Sequence, residues 1–165
     1  MERFAIPGAG AIIRRSMNGR EQILLQERCK KDAPLENGLL EIPAGKIREF
    51  ESIFDTIRRE VKEETGLDIV RIEGEEEALF HAADGYKVLN FKPFSCSQNL
   101  EGAYPIMVFI FLCTAEGLLL HRSDEAKNFL WVGKEELSGM LEGTPERFYP
   151  MHVDTLRNYL KYKAL

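Results

Sequence analysis

The chain has 165 residues, of which 44% are hydrophobic and 30% charged, and its 22 basic and 27 acidic side chains give a net charge of −5. This apolar content is enough to build a buried core, so the composition excludes an intrinsically disordered chain. The acidic balance, with no long run of Lys and Arg, argues against a protein that coats a nucleic acid polymer.

The sequence also indicates the compartment of the protein and its number of domains. The longest apolar stretch, residues 106–113, is too short to cross a bilayer, and the N-terminal residues lack the pattern of a secretory signal. The cysteines Cys29, Cys96 and Cys113 are widely spaced and form no CxxC pair, which favours reduced thiols over a disulfide framework. We therefore expect a cytoplasmic protein without membrane association, folded as a single domain over residues 1–165.

The first half of the chain predicts a hairpin followed by a helix. Residues 9–14 and 22–27 are predicted strands joined by a turn at Asn18-Gly19. A polar loop covers residues 29–38, and a short apolar piece over residues 39–42 ends in a turn. Apolar residues at helical spacing then predict a helix over residues 52–64, closed by Gly66.

The second half mixes strands and helices. A predicted loop with several polar side chains covers residues 94–104. The predicted strands are residues 68–73, 77–81, 86–91, 106–114 and 127–132, and the predicted helices are residues 134–141 and about 151–162. This order predicts an α/β domain in which helices cover a mixed, partly antiparallel sheet.

The helix over residues 52–64 ends in a cluster of acids. At about 100° per residue, Glu60, Glu63 and Glu64 fall within an arc of roughly 100° beside the apolar stripe, pointing toward the protein body. Acids in a last helical turn oppose the helix dipole, at a cost of about 0.3–1 kcal/mol each. The arrangement becomes favourable around a hard divalent cation such as Mg²⁺ or Mn²⁺, and an ordinary acidic surface is the alternative interpretation.

Residues 45–67, GKIREFESIFDTIRREVKEETGL, also carry a family motif. They resemble the Nudix box, GX5EX7REUXEEXGU with U aliphatic, at every defined position from Gly45 to Leu67. The resemblance implies an α/β/α sandwich with a mixed sheet and a loop–helix–loop metal site. It also implies a Mg²⁺- or Mn²⁺-dependent hydrolase in which water attacks phosphorus in the diphosphate linkage of a nucleoside diphosphate derivative.

The same resemblance implies roles for individual residues. Glu60 and Glu64 correspond to direct metal ligands, Glu63 to a helper for a further ion or a bound water, and Gly45 to a carbonyl ligand. The pair formed by Glu51 and Arg59 corresponds to an internal contact that positions the loop against the helix, and both belong with Glu63 and Glu64 to the expected catalytic set. For the general base, which varies in the family, the first candidate is Glu125, followed by Asp124 and Glu64.

The sequence does not select a substrate within this class. Residues 41–47 resemble the ELPAGKI turn of ADP-sugar pyrophosphatases, but Ala83 stands where those enzymes carry a proline. Tyr86 lies about one residue from the tyrosine of diadenosine-polyphosphate enzymes, and residues 24–28 match the coenzyme A type only in part. A nucleotide sugar such as ADP-ribose, a nucleoside triphosphate and a dinucleotide all stay open as substrates.

Several residues outside the box are weaker candidates. Arg28 is the best candidate for a substrate-binding residue, ahead of Lys30 and Lys31, with a solvated basic loop as the alternative. The aromatic residues Phe91, Phe94 and Tyr104 suit either base stacking or the core, and we expect each of the three isolated histidines to be a surface or hydrogen-bonded residue.

The competing class is a non-catalytic, Nudix-like sensor that binds a nucleotide without cleaving it. The intact set of three carboxylates favours the enzyme, because a sensor does not need metal ligands. The small-molecule nucleotide is the expected partner, and a homodimer is left open because dimers are common among proteins that resemble this one.

Overall fold

A computed structural model of the protein describes residues 2–31, 33–102 and 104–163. Asp32 and Ala103, which fall in two of the predicted loops, lie outside the described residues, as do the chain ends of the predicted domain. The strands are β1 (Ile6–Met17), β2 (Arg20–Arg28), β3 (Leu40–Glu41), β4 (Ala44–Lys46), β5 (Asp68–Ile72), β6 (Leu79–Ala83), β7 (Tyr86–Asn90), β8 (Ser95–Gln98), β9 (Ile106–Glu116) and β10 (Ala126–Gly133). The α-helices are α1 (Ile53–Thr65), α2 (Lys134–Gly143) and α3 (Pro150–Lys161).

The main sheet is mixed. Its central order is β10-β2-β1-β9-β5, with β3 added to β2, β4 to β1 and β8 to β9. Strands β1 and β9 run parallel, and the other pairs in this sheet are antiparallel. Strands β6 and β7 form a separate two-stranded hairpin.

Helices cover both faces of the sheet. Successive side chains of a strand point to opposite faces, so one strand can contribute apolar side chains to both helical layers. On β1, Ile12 packs into a cluster with Leu137 of α2 and Leu156 of α3. Its neighbour Ile13 packs on the opposite face with Ile57 of α1. The predicted α/β/α sandwich is confirmed.

The predicted box helix is observed with its expected ends. Ser52 is the N-cap, and its hydroxyl accepts a hydrogen bond from the Asp55 N–H at 3.1 Å. Gly66 follows the last turn with φ 81°, a left-handed conformation that glycine adopts without a steric penalty. The hairpin turn is also as predicted, with φ 53° at Asn18 and 73° at Gly19.

Two of the predicted boundaries were wrong. Residues 95–98, predicted as part of a loop, form β8, whose backbone pairs with residues 107–110 of β9. The segment has no apolar alternation that would predict a strand. Its strand conformation comes from backbone pairing with β9, which the sequence pattern does not show. The strand predicted over residues 77–81 is shifted to Leu79–Ala83, where it is set by its register with β7.

All three cysteines and all three α-helices lie among the described residues. Cys29, Cys96 and Cys113 are all unpaired. Among the described residues, no helix has the length and apolar character needed to pass through a bilayer.

Gly10 lets the strand that carries the box entrance lie directly against β1. A Cβ atom on Gly10 would come within 2.6 Å of the Ala44 Cβ and 2.7 Å of the Pro43 carbonyl oxygen. One neighbour is a Cβ atom and the other is a backbone oxygen. Neither can move aside unless the backbone at residues 43–44 moves with it. The sequence can therefore place residues 43–45 beside β1 only with glycine at this position.

We predict that Gly10→Ala lowers the free energy of unfolding by about 1–3 kcal/mol, the usual cost of overpacking. Urea unfolding followed by circular dichroism measures it. Gly139→Ala is the matched control, because Gly139 lies inside α2 with no atom within 4 Å of the place that its new methyl group would take. This control should be neutral or stabilising by up to about 1 kcal/mol. Equal stability of the two variants would contradict the packing argument.

Candidate active site

The acidic end of α1 faces a cavity at the edge of the sheet. The cavity has a volume of about 310 Å³. Its lining combines the box entrance, the acidic helix turn, the segment after β2 and the loop before β10. The residues lining it that matter here are Arg28, Lys30, Glu41, Gly45, Glu60, Glu63, Tyr104, Glu125, Tyr149 and His152.

Glu64 is the most deeply buried of the three box carboxylates, with 2% of its surface exposed. On the helical wheel it lies at about 40° from Glu60, between Ile53 at about 20° and Ile57 at about 60°. It therefore lies within the apolar stripe, which continues to Val61 at about 100°. Burial, followed by the negative charge of Glu41, raises the pKa of Glu64 well above its usual range.

Hydrogen bonds from three directions compensate the buried Glu64 carboxylate. Gln26 Nε2 donates to it at 2.7 Å and the Ala44 N–H at 3.3 Å, and Lys30 Nζ lies 3.4 Å away. Gln26 Nε2 also donates to Glu41 at 3.2 Å, so one amide joins two buried acids. The helix end is thus tied to β2, β3 and β4 at one point.

Glu60 lies nearer the cavity surface, with 9% of its surface exposed. Burial raises the pKa of its carboxyl group, although the hydrogen bond from Arg59 acts in the opposite direction. A Cβ atom on Gly45 would lie 2.0 Å from the Glu60 carboxylate carbon. Glycine at position 45 therefore leaves the space that the Glu60 carboxylate fills, which is a physical reason for the first residue of the box.

Glu63 differs from the expectation that all three carboxylates point toward the protein body. Its side chain is 53% exposed, because it lies about 60° from Glu60 on the side away from the apolar stripe. It stays near the site through Arg59 Nη1 at 3.3 Å and Arg48 Nη2 at 3.7 Å.

Arg59 and Glu51 form the internal pair that the motif implies. Arg59 donates to the two carboxylate oxygens of Glu51 at 2.7 and 2.8 Å, and to the Lys46 carbonyl oxygen at 3.1 Å. The hydrogen bond from Arg59 is the main cause that lowers the pKa of Glu51 to about 2. The bidentate geometry joins the loop after β4 to the helix and orients Arg59 toward Glu60.

Lys30 and Glu125 lie on the opposite wall of the cavity. Lys30 Nζ forms ion pairs with both Glu64 and Glu125, and its side chain is 14% exposed. Burial acts to lower the pKa of the Lys30 ammonium group, but the surrounding carboxylates hold it above its ordinary value. The Glu125 side chain is 50% exposed, so it can reach solvent in the cavity.

Arg28 lines the cavity, but its guanidinium group is already engaged. It pairs with Glu41 at 2.7 Å and Glu36 at 2.8 Å, and it stacks over the Tyr149 ring at 4.4 Å. Its predicted role in substrate binding stays a prediction, since these contacts leave fewer donors directed at a ligand.

The remaining candidates are divided between core and cavity. Phe91 makes edge-to-face contact with Phe54 at 6.4 Å, and Phe94 does so with Tyr162 at 5.5 Å, as core residues do. Tyr104 lines the cavity instead. His152 is buried and accepts a hydrogen bond from the Ile42 N–H through Nδ1 at 3.3 Å.

Sequence inspection missed Gln26, Glu41 and Tyr149 as parts of this site. Gln26 directly follows the apolar run of β2 and is fully buried. The clearer signal was Glu41, which follows two leucines and precedes an isoleucine and is 2% exposed. A polar residue inside an apolar strand needs a buried partner, and here the partners are each other and Glu64.

The donor set fits a hard divalent cation. Within residues 2–31, 33–102 and 104–163, no three acidic, histidine or cysteine side chains converge on one point as they stand. Each box carboxylate is instead paired with a cation of the chain, Glu60 and Glu63 with Arg59 and Glu64 with Lys30. Buried carboxylates with raised pKa values, all offering oxygen ligands, are groups that Mg²⁺ or Mn²⁺ would stabilise.

Comparison with known proteins supports the same class. The family model of the NUDIX domain matches residues 6–152 of the chain. The chain therefore belongs to the Nudix family.

The curated relatives align over less than half of the chain. The methanol dehydrogenase activator of Bacillus methanolicus is 39% identical over 67 residues, which are 41% of this chain and 34% of that protein. The 8-oxo-dGDP phosphatase NUDT18 of Danio rerio is 37% identical over 59 residues, which are 36% of this chain and 16% of that protein. The chain thus spans about a third or less of the lengths of these relatives.

Solved structures match over nearly the whole chain. The MutT protein of Methanosarcina mazei has a TM-score of 0.62 at 22% identity, with 99% of each chain covered. The NUDIX domain of Shewanella oneidensis NrtR, solved with ADP ribose, has a TM-score of 0.67 at 13% identity, covering 97% of this chain and 89% of that one. At these identities the likeness shows the fold alone.

We predict that Gly45→Ala folds normally but weakens metal binding. The atoms that the new methyl group would meet are the far end of the flexible Glu60 side chain, which can rotate away at little cost to the fold. Titration with Mn²⁺, followed by electron paramagnetic resonance of the free ion, should show affinity reduced by about tenfold. Unchanged affinity would mean that the Glu60 carboxylate need not occupy this space.

His152 predicts a pH dependence of stability. Burial, followed by the nearby charges of Arg28 and Lys30, lowers its pKa to about 3 from an ordinary value of 6.5. Between these values the unfolded chain binds a proton that the folded chain does not, so stability is complete above pH 6.5 and falls as the pH decreases. The loss at pH 5 should be on the order of 2 kcal/mol.

Urea unfolding at pH 7.5 and pH 5 measures this difference in the wild-type chain and in His152→Gln, whose amide oxygen can still accept from Ile42. The variant should lose less stability between the two pH values. His81→Gln, at an exposed position, is the matched control and should behave as the wild type. An identical pH dependence in all three proteins would rule out His152 as the source.

Proposed function

We propose that the protein is a Mg²⁺- or Mn²⁺-dependent pyrophosphohydrolase that cleaves the diphosphate linkage of a nucleoside diphosphate derivative. The observation that carries this proposal is the placement of two buried carboxylates, Glu60 and Glu64, on one helix, where Glu60 lines a cavity and Glu64 contacts Lys30, which lines the same cavity. Gly45 adjoins Glu60 there, and Glu125 also lines this cavity. We propose that residues 1–165 act as one domain and that the protein is cytoplasmic, in keeping with its three free cysteines.

Each box residue has a distinct task in this mechanism. Glu60, Glu64 and the Gly45 carbonyl would hold the metal, with Glu63 at the exposed edge of the site. A bound divalent cation supplies charge neutralisation and polarisation of the phosphoryl group, and it lowers the pKa of water. Glu51 fixes Arg59 through two hydrogen bonds, and Arg59 in turn orients Glu60.

Glu125 is the proposed general base. Its side chain is half exposed and lines the same cavity as Glu60, so it can accept a proton from a water molecule there. A general base must lie within hydrogen-bond reach of the proton that it accepts. Glu125 meets this condition for a water molecule in the cavity, because its side chain lines the cavity. Arg28 remains the proposed substrate-binding residue. It lines the cavity while its guanidinium group is paired with Glu41.

A second cavity suits the nucleoside part of the substrate. It has a volume of about 400 Å³ and shares Ala33, Tyr104 and Tyr149 with the first cavity. Leu35 and Met151 extend its apolar lining. A flat aromatic base would bury apolar surface there while its phosphates lay beside the carboxylates. This arrangement favours a nucleotide over inorganic pyrophosphate as the substrate.

A panel assay tests the function. With Mg²⁺, the chain should hydrolyse at least one of ADP-ribose, sugar nucleotides, dinucleoside polyphosphates, coenzyme A and oxidised deoxynucleoside triphosphates. Glu64→Gln should lose at least about a hundredfold in turnover. Loss of a residue that supports a metal ligand lowers activity by about 10–100-fold, and loss of the ligand itself should lower it at least as much. Nucleotide binding without any turnover would instead favour the sensor.

Glu125→Gln tests the base in the same assay. It should lower kcat by about 10²–10⁴-fold while leaving Mg²⁺ affinity within a factor of a few, since its role is proton transfer. Glu135→Gln, with an exposed side chain on α2 that lines neither cavity, is the matched control. A normal kcat for Glu125→Gln would assign the proton to Asp124 or to another group.

A further inference from the structure

Lys30 is a buried cation that the proposed mechanism does not use. It follows β2, and its side chain is only 14% exposed although lysine is rarely buried without a partner. Its ammonium group lies among carboxylates from two separate elements, Glu64 at the end of α1 and Glu125 in the loop before β10. Lys30 therefore bridges the two sides of the cavity.

The backbone holds this bridge in position. The Cys29 N–H donates to the Glu125 carbonyl oxygen at 2.8 Å, which keeps residue 30 beside the loop that carries Glu125. From the other side, Gln26 and Ala44 hold the Glu64 carboxylate in place by hydrogen bonds of 2.7 and 3.3 Å. The Glu64 contact does not arise from chance rotation of a long surface side chain, because Glu64 is only 2% exposed.

A divalent cation needs the same Glu64 oxygens. In a poorly solvated site, two positive groups on one carboxylate repel each other much more strongly than in water. The ammonium group and the metal ion therefore cannot both stay against Glu64. Lys30 has three rotatable donors on a flexible stem, so it is the partner that can leave.

We propose that Lys30 is an internal counter-cation of the site, which a divalent metal ion must displace from Glu64. Lys30 is thus a positioning residue. It keeps the acidic cluster neutralised and lowers the apparent metal affinity. The inference rests on the proposed function for the role of Glu64 as a metal ligand, but its competition with metal is independent of substrate.

The test is Mn²⁺ affinity of the full chain, measured without substrate by electron paramagnetic resonance of the free ion. Lys30→Met should bind Mn²⁺ about tenfold more tightly than the wild type, since no ammonium group competes for Glu64. It should also melt at a lower temperature in EDTA and show a larger rise in melting temperature on addition of Mn²⁺. A merely structural lysine would lower the melting temperature without tightening metal binding.

Two further variants complete the design. Lys31→Met removes the same charge from the neighbouring residue and should leave the Mn²⁺ affinity at the wild-type value. Lys30→Gln keeps a hydrogen-bond donor without the charge, and it should also bind Mn²⁺ more tightly, which decides the question if Lys30→Met fails to fold. Unchanged or weaker Mn²⁺ binding in the Lys30 variants that fold would overturn the proposal.

The outcome is separable from that of the proposed function. Tighter Mn²⁺ binding in the Lys30 variants would support the counter-cation role even if the substrate panel showed no turnover. Turnover in the panel together with unchanged Mn²⁺ affinity in those variants would support the hydrolase and overturn the role of Lys30.

Discussion

A single buried carboxylate, that of Glu64, constrains most of the site around it. It lies in the apolar stripe of α1, where an uncompensated charge would strongly oppose folding. The chain therefore brings an amide from β2, a backbone N–H from β4 and an ammonium group after β2 to the same point. These contacts connect the helix to β2, to β4 and to the segment after β2, and Lys30 in that segment lines the cavity.

The other contacts follow from this arrangement. Because β4 must reach Glu64 through the Ala44 N–H, it has to lie close against β1, and Gly10 makes that approach sterically feasible. Because Glu60 lies one turn before Glu64, its carboxylate falls against Gly45, where no side chain is tolerated without moving it. Arg59 then joins the helix to the loop through Glu51 and the Lys46 carbonyl oxygen. Packing and chemistry thus require the same residues.

The charge balance of the site suggests how it responds to a metal ion. Glu41, Glu60 and Glu64 are buried acids, and Arg28, Arg59 and Lys30 are the cations paired with them. The two arginines are held by further carboxylates, Glu36 and Glu51, so they are fixed parts of the framework. Lys30 is held instead by acids on opposite walls of the cavity. It is the cation whose release would change the site most.

The sequence by itself determined the family motif, the box helix with both of its ends, and the sandwich of helices around a mixed sheet. The motif and the box helix follow from local spacing, because apolar periodicity and a C-terminal glycine act within a few residues of each other, whereas the sandwich is what the resemblance to the family implies. The tertiary structure alone decided that Glu64 is enclosed while Glu63 is half exposed, that Gln26 and Glu41 belong to the site, and that residues 95–98 form a strand. Those outcomes depend on contacts between residues far apart in the chain, such as Gln26 and Glu64, which are 38 positions apart. Local sequence patterns do not indicate which distant residues come into contact.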